Sequence, residues 1–128
     1  MKKVLDVGQC DYDHNNIKNV VKDACNGSTV WAHTKEEALK ILSGNPNEFS
    51  LVTINRLLDK DHSEGMETLI AIKNNPELSH IPVMIISDFE EAQNKAISAG
   101  GVKGFGKTSL KTKEARNKTV ELVKNYLL

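Results

Sequence analysis

The run Ile81-Pro-Val-Met-Ile-Ile-Ser87 constrains the fold more than any other stretch of the chain. It is apolar without the in-and-out alternation of a half-exposed strand, and it is too short for a core helix. A strand that is apolar on both faces must be covered on both faces, which is the condition of an interior strand in a parallel sheet. Parallel neighbours are joined by crossovers, usually helices. The rest of the chain should therefore alternate strands with helical patterns.

It does so five times. Residues 4–8 form a first apolar run, followed by Ile17, Val20, Val21 and Ala24 at helical spacing. Residues 28–33, Ser-Thr-Val-Trp-Ala-His, read as a second strand, with Trp31 as core or edge packing. Thr34-Lys-Glu-Glu37 is a capping box ahead of Ala38, Leu39 and Leu42. Residues 49–55 are the third strand. After an acidic loop, Met66, Leu69, Ile70 and Lys73 mark a third helix, stopped by Asn74-Asn-Pro76. Asp88 with Glu91 reads as the cap of a fourth helix through Ala92, Ala96 and Ala99. Gly100-Gly-Val-Lys-Gly-Phe-Gly106 reads as a short fifth strand, and a last helix follows with Ala115, Leu122, Val123 and Tyr126 inward. The expectation is one α/β domain over residues 1–128, a flavodoxin-like (βα)5 doubly wound parallel sheet in the order 2-1-3-4-5. The start Met and a helical pattern running to Leu128 point to a stand-alone protein or an N-terminal domain.

Composition removes several function classes. Lys plus Arg and Asp plus Glu both number 17, so no basic excess points to nucleic acid or an anionic membrane. The longest apolar runs fall far short of the roughly 20 residues that span a bilayer. The charged N-terminus is unlike a signal peptide, and the expected location is the cytoplasm. Cys10 and Cys25 read as reduced thiols, Cys25 packing in the first helix. No nucleophile–base pair or metal-ligand set stands out, so neither an enzyme nor a cofactor or metal is expected.

Ligands of such folds sit beyond the carboxyl ends of the strands. That selects the loops after Gly8, Asn55 and Ser87 and the region of Lys107. The order and content of these loops resemble the receiver domain of two-component response regulators over essentially the whole chain. The resemblance rests on Ser87 followed by Asp88, on Lys107 after a Gly-rich strand, on Ala99-Gly-Gly-Val-Lys-Gly-Phe105, and on Asn74-Asn-Pro-Glu-Leu-Ser-His-Ile-Pro ahead of the fourth strand. It implies an acidic pair holding Mg²⁺ at the end of strand 1, a phosphorylated aspartate at the end of strand 3, a hydroxyl after strand 4 and a lysine after strand 5.

The departures from that pattern carry the functional reading. Asn55 stands at the phosphoacceptor position, and an amide cannot form the acyl phosphate. Aligned through Asp11-Tyr-Asp13, the Mg²⁺ positions hold Gln9 and Cys10; a register shifted by one gives Gly8 and Gln9. Lys107 is followed by Thr108 where a Pro is usual, and the family's switching aromatic falls on Gly104, or on Phe105 with a one-residue gap. The expected site is a degenerate phosphorylation pocket of Gln9, Cys10, Asp11, Asn55, Arg56, Ser87 and Lys107, with Ser87 and Lys107 hydrogen-bonded to Asn55. The expected activity is that of a pseudo-receiver, a signalling module that binds other proteins. Its partners would be a histidine kinase or a downstream output protein, with a homodimer as a further possibility. The family's output face implies Glu90, Glu91, Gln93, Asn94, Lys103, Phe105, Lys111 and Lys113.

Two alternatives are weighed against it. One is a working receiver using an unusual acid such as Asp11, Asp59 or Asp61. The other is a flavodoxin-like protein binding flavin mononucleotide or another phosphate, which Asp11 and Asp13 in the first loop would repel. Asp59-x-Asp61-x-Ser63 resembles the start of an EF-hand, but Gly65 falls one position late and Ile70 stands where the bidentate glutamate belongs. Asp6, a carboxylate inside the first strand, needs a partner or a proton. His14, at the start of the first helix, reads as solvated.

Overall fold

The computed structural model describes residues 2–127. The strands β1 (Lys3–Val7), β2 (Ser28–Ala32), β3 (Leu51–Asn55) and β4 (Val83–Ile86) form a wholly parallel sheet in the order β2-β1-β3-β4. Between and after them run α1 (Asp11–Cys25), α2 (Lys35–Gly44), α3 (Gly65–Lys73), α4 (Glu90–Ser98) and α5 (Lys113–Leu127), with a 3-10 turn at Lys107–Leu110. Extension of the last helix to Leu128 lies outside the described residues. No helix among the described residues is long and apolar enough to cross a membrane.

Strand alternation sorts the core into two clusters. Leu5, Val7, Val52, Ile54, Val83 and Ile85 face α2, α3 and α4, together with Leu42, Leu69, Ile72 and Ala96. Val4, Leu51, Met84 and Ile86 face α1 and α5, together with Ile17, Val20, Val21 and Val123. The strands are therefore apolar on both faces, which a parallel sheet covered by helices demands. The Thr34 cap forms as its sequence requires: Thr34 Oγ1 accepts from the Glu37 N–H at 3.1 Å.

The fifth strand is reduced to one bridge. Val102 pairs with Met84, Val102 N–H donates to Val83 O at 2.8 Å, and Ser87 N–H donates to Phe105 O at 2.9 Å. Between those bonds the Gln93 side chain of α4 replaces the ladder. Its Nε2 donates to Ile85 O at 2.9 Å and Ser87 O at 3.1 Å, and its Oε1 accepts from Gly104 N–H at 2.7 Å. Gly104 lies so close to β4 that a Cβ there would collide with Ile85 O. Helix α4 also starts differently from the sequence expectation. Its N-cap is Phe89 with no side-chain cap, and Asp88 turns instead to the backbone and hydroxyl of Thr108.

Gln93 is thus a structural tie. Replacement by Leu strands a buried N–H and two carbonyls, each worth about 1–3 kcal/mol when orphaned. Gln93→Leu should lower the unfolding free energy by about 2–4 kcal/mol in urea titration; a loss below about 0.5 kcal/mol would refute the assignment.

Candidate functional site

The carboxyl edge of the sheet is built around the end of β1. Gly8 takes φ +78°, the left-handed region that favours glycine, and a side chain there would also strike Leu58. This turn aims the Gly8 carbonyl along the edge, where it accepts from Asp59 N–H at 2.8 Å and from Asn55 Nδ2 at 3.2 Å. Asn55, the last residue of β3, is therefore a strut between two strand ends. A carboxylate cannot replace it, because it has no hydrogen to donate to that carbonyl.

The sequence-predicted pocket residues converge only in part. An open cleft of about 350 Å³ is lined by Asn55, Arg56, Leu57, Ile86, Ser87, Asp88, Phe89 and Lys107. Gln9, Cys10 and Asp11 line a separate cleft of about 350 Å³ on the other side of the β1 end, with Trp31 and His33. The expected bonds from Ser87 and Lys107 to Asn55 are not made. Ser87 Oγ accepts from Phe89 N–H at 3.1 Å. Lys107 Nζ pairs with Asp13 Oδ2 at 2.7 Å, and Cys10 Sγ–H donates to the same oxygen at 3.3 Å. The reason is electrostatic: the neutral amide at Asn55 offers no anion, and Asp13 in the first turn of α1 does. Arg56 folds its guanidinium over the Phe89 ring, 5.2 Å from the centroid, at the mouth of the cleft.

Charge at the cleft is sparse. Its one lining carboxylate, Asp88, is held by Thr108. Asp61 turns its carboxylate back to the N–H and hydroxyl of Ser63, and these bonds hold its pKa below the ordinary Asp value. Asp59 lines the second cleft, with Gln9, Cys10 and Asp11, and not the one beside Asn55; Asp61 lines neither. Among the described residues no group of three or more His, Cys, Asp or Glu is placed to hold a metal ion. Of the residues expected on the output face, Glu90, Glu91, Asn94, Lys103, Lys111 and Lys113 are exposed, whereas Gln93 and Phe105 are buried. Phe105 packs in the α1 and α5 cluster, away from the cleft.

The residue that reads as solvated is the one most deeply engaged. His14 is buried, with Nδ1 2.7 Å from Asp6 Oδ2, and Thr53 Oγ1 donates to Asp6 Oδ1 at 2.8 Å. The His14 ring stacks on Trp31 at 4.4 Å between centroids and 6° between planes, and Trp31 Nε1 donates to Gln9 O at 3.2 Å. Beside this chain the Gln9 side chain is buried with neither amide atom hydrogen-bonded. Burial pushes the Asp6 carboxyl above the ordinary Asp value of 3.8, and the bonds from His14 and Thr53 oppose it.

No protein-family model and no curated protein sequence matches the chain. Solved structures do. A response regulator receiver domain protein from Clostridium thermocellum superposes with TM-score 0.70 at 21% identity, covering 99% of this chain and 100% of that one. The phosphorylated cyanobacterial phytochrome response regulator RcpA gives 0.69 at 22%, covering 97% and 89%. NtrX from Brucella abortus, solved in complex with ATP, gives 0.77 at 20%, covering 98% of this chain but 26% of that one. The chain has the receiver fold.

Two measurements test the site. Asn55→Asp removes the bond to Gly8 O and should cost about 1 kcal/mol at neutral pH; an unchanged urea midpoint would refute the strut. For Asp6, a raised folded-state pKa means the folded domain holds the proton more tightly than the unfolded chain. Its contribution is complete below pH 3.8 and is lost as pH rises through the folded pKa. Wild type minus Asp6→Asn, measured as unfolding free energy from pH 3 upward, should therefore fall with pH. A difference that is flat or rises would overturn the sign.

Proposed function

We propose that this domain is a signalling module of the receiver type that acts by binding other proteins and is not itself phosphorylated on aspartate. The observation that carries the reading is Asn55: it occupies the end of β3, and its amide is committed to Gly8 O. Gln9 and Cys10 supply no carboxylate oxygen of the kind Mg²⁺ favours. The lysine after the Gly-rich segment is spent on Asp13. A fold of this kind without acceptor or metal chemistry still offers exposed helix faces, and its expected partners are a histidine kinase, an output protein or a second copy. A phosphate-ligand reading fits less well, since Asp13 neutralises Lys107 and Asp88 lines the cleft.

The test is an intact mass after incubation with acetyl phosphate and Mg²⁺. The native protein should show no phosphoryl adduct. An adduct on it would overturn the proposal, and peptide mapping would then name the acceptor. A Gln9→Asp, Cys10→Asp, Asn55→Asp triple variant, run alongside, should regain the adduct if the fold still accepts a phosphoryl donor.

A further inference from the structure

Five large apolar side chains are exposed among the described residues: Tyr12, Leu57, Ile70, Phe89 and Ile97. Single exposed apolar residues are ordinary, but contiguous ones mark interaction sites. Ile70, 44% exposed, stands in a groove of about 760 Å³ between α3 and α4, with Met66 and Ala99 beside it. A smaller cavity of about 180 Å³ shares Glu64, Met66, Glu91 and Lys95 with that groove and continues it to Phe89, 59% exposed. Leu57, 37% exposed, lines the adjoining cleft with Phe89. Three of the five exposed apolar residues thus lie along one continuous depression. It stays open because α4 and the residue that ends it present small side chains there, Ala92, Ser98 and Ala99.

The rim has a sign. Glu64, Glu67 and Glu91 border the groove against Lys95, and none of the four has an ion-pair partner among the described residues. Arg56, at the upper end, lies over Phe89. An occupant must therefore bring an apolar stripe for Met66, Ile70 and Phe89 and positive charge for the glutamates. Helices α3 and α4 have nine residues each, about 13 Å, so the groove has room for two to three turns of a third helix. Apolar anchors at i, i+3/i+4 and i+7 with basic flanks meet all these demands. We infer that the α3–α4 groove is a docking site for an amphipathic, basic helix of a partner protein. The inference rests on the protein-binding reading above and places that binding on the side of α4 opposite Ile97 and Lys103, which line a different cavity.

The probe is a fluorescein-labelled 16-residue helix of leucine and lysine, with a leucine and glutamate counterpart, titrated with the full chain and read by anisotropy. Saturable binding of the lysine peptide only is expected. Ile70→Asp and Glu67→Lys should each weaken it at least tenfold, while Ile97→Asp leaves it unchanged. Ile70, Glu67 and Ile97 are all exposed, so the variants should keep the parent's melting profile, which is checked first. No saturable binding, equal binding of both peptides, or loss with Ile97→Asp in place of Ile70→Asp overturns the groove. So does self-association of the native chain that Ile70→Asp abolishes, which would make the occupant a second copy. These failures leave the phospho-independent reading standing, whereas an acetyl phosphate adduct on the native protein removes that reading whatever the peptides do.

Discussion

A carboxyl group, that of Asp6, sits at zero exposure inside β1, an interior strand of the sheet, and much of the carboxyl edge is arranged around it. An isolated ionised carboxylate there would cost far more than a small domain's net stability. Asp6 is tolerable because Thr53 on β3 and His14 on α1 both bond it. These bonds cross from β1 to its neighbouring strand and to the helix above, so the polar cost is converted into a specified docking of α1. His14 then supports Trp31 by stacking, and Trp31 holds Gln9 O. Removal of one partner leaves the other a buried polar group without its bond, at a cost of about 1–3 kcal/mol. Its effect would be felt as a loosened α1, and with it a displaced Asp13 and Lys107.

The same economy governs the edge itself. The Gly8 carbonyl turns toward the end of β3, and the group best suited to meet it is a donor. Asn55 supplies one, which fixes the separation of the β1 and β3 ends without metal or phosphate. With a neutral amide at this position, Lys107, at the start of the 3-10 turn, pairs with Asp13 of α1. The exposed ion pair is worth at most about 1 kcal/mol. Its importance is positional: it states which carboxylate the lysine serves.

Much of this was legible in the sequence, for identifiable reasons. Four strands and five helices follow from apolar runs and helical spacing, and the Asn at the end of β3 stands out because a parallel sheet puts ligands there. The output-face residues Gln93 and Phe105 illustrate the limit. Whether a polar or aromatic residue of a short helix or Gly-rich segment points in or out depends on the rotation of that element. A Gln whose amide replaces strand pairing leaves no periodic trace. His14 is different. It lies three residues before Ile17 and seven before Val21, on the inward stripe of α1, directly after a strand carrying an unexplained Asp. Both signals were present, and only their spatial pairing across eight residues of chain was missing. Lys107 departs from the expected bond because the Asp13 carboxylate attracts it more strongly than a neutral amide, and Ser87 Oγ meets the N–H of Phe89, two residues on.

The proposed signalling role has a consequence that follows from charge and packing together. A cluster of carboxylates at the strand ends stores like-charge repulsion, which a metal or phosphoryl group can relieve, and such a site is a natural switch. Here Gln9, Cys10 and Asn55 carry no carboxylate, and the one carboxylate lining the cleft beside Asn55 is held by Thr108. The aromatic of the Gly-rich segment is buried, and that segment is pinned to α4 by Gln93. On the proposed reading, little energy is stored at this edge for phosphorylation to release. On that reading the domain presents one surface whether or not a phosphoryl donor is at hand. The state of such a pathway would then be carried by the concentration or accessibility of the partner, because binding shifts a conformational equilibrium only where two states differ in affinity.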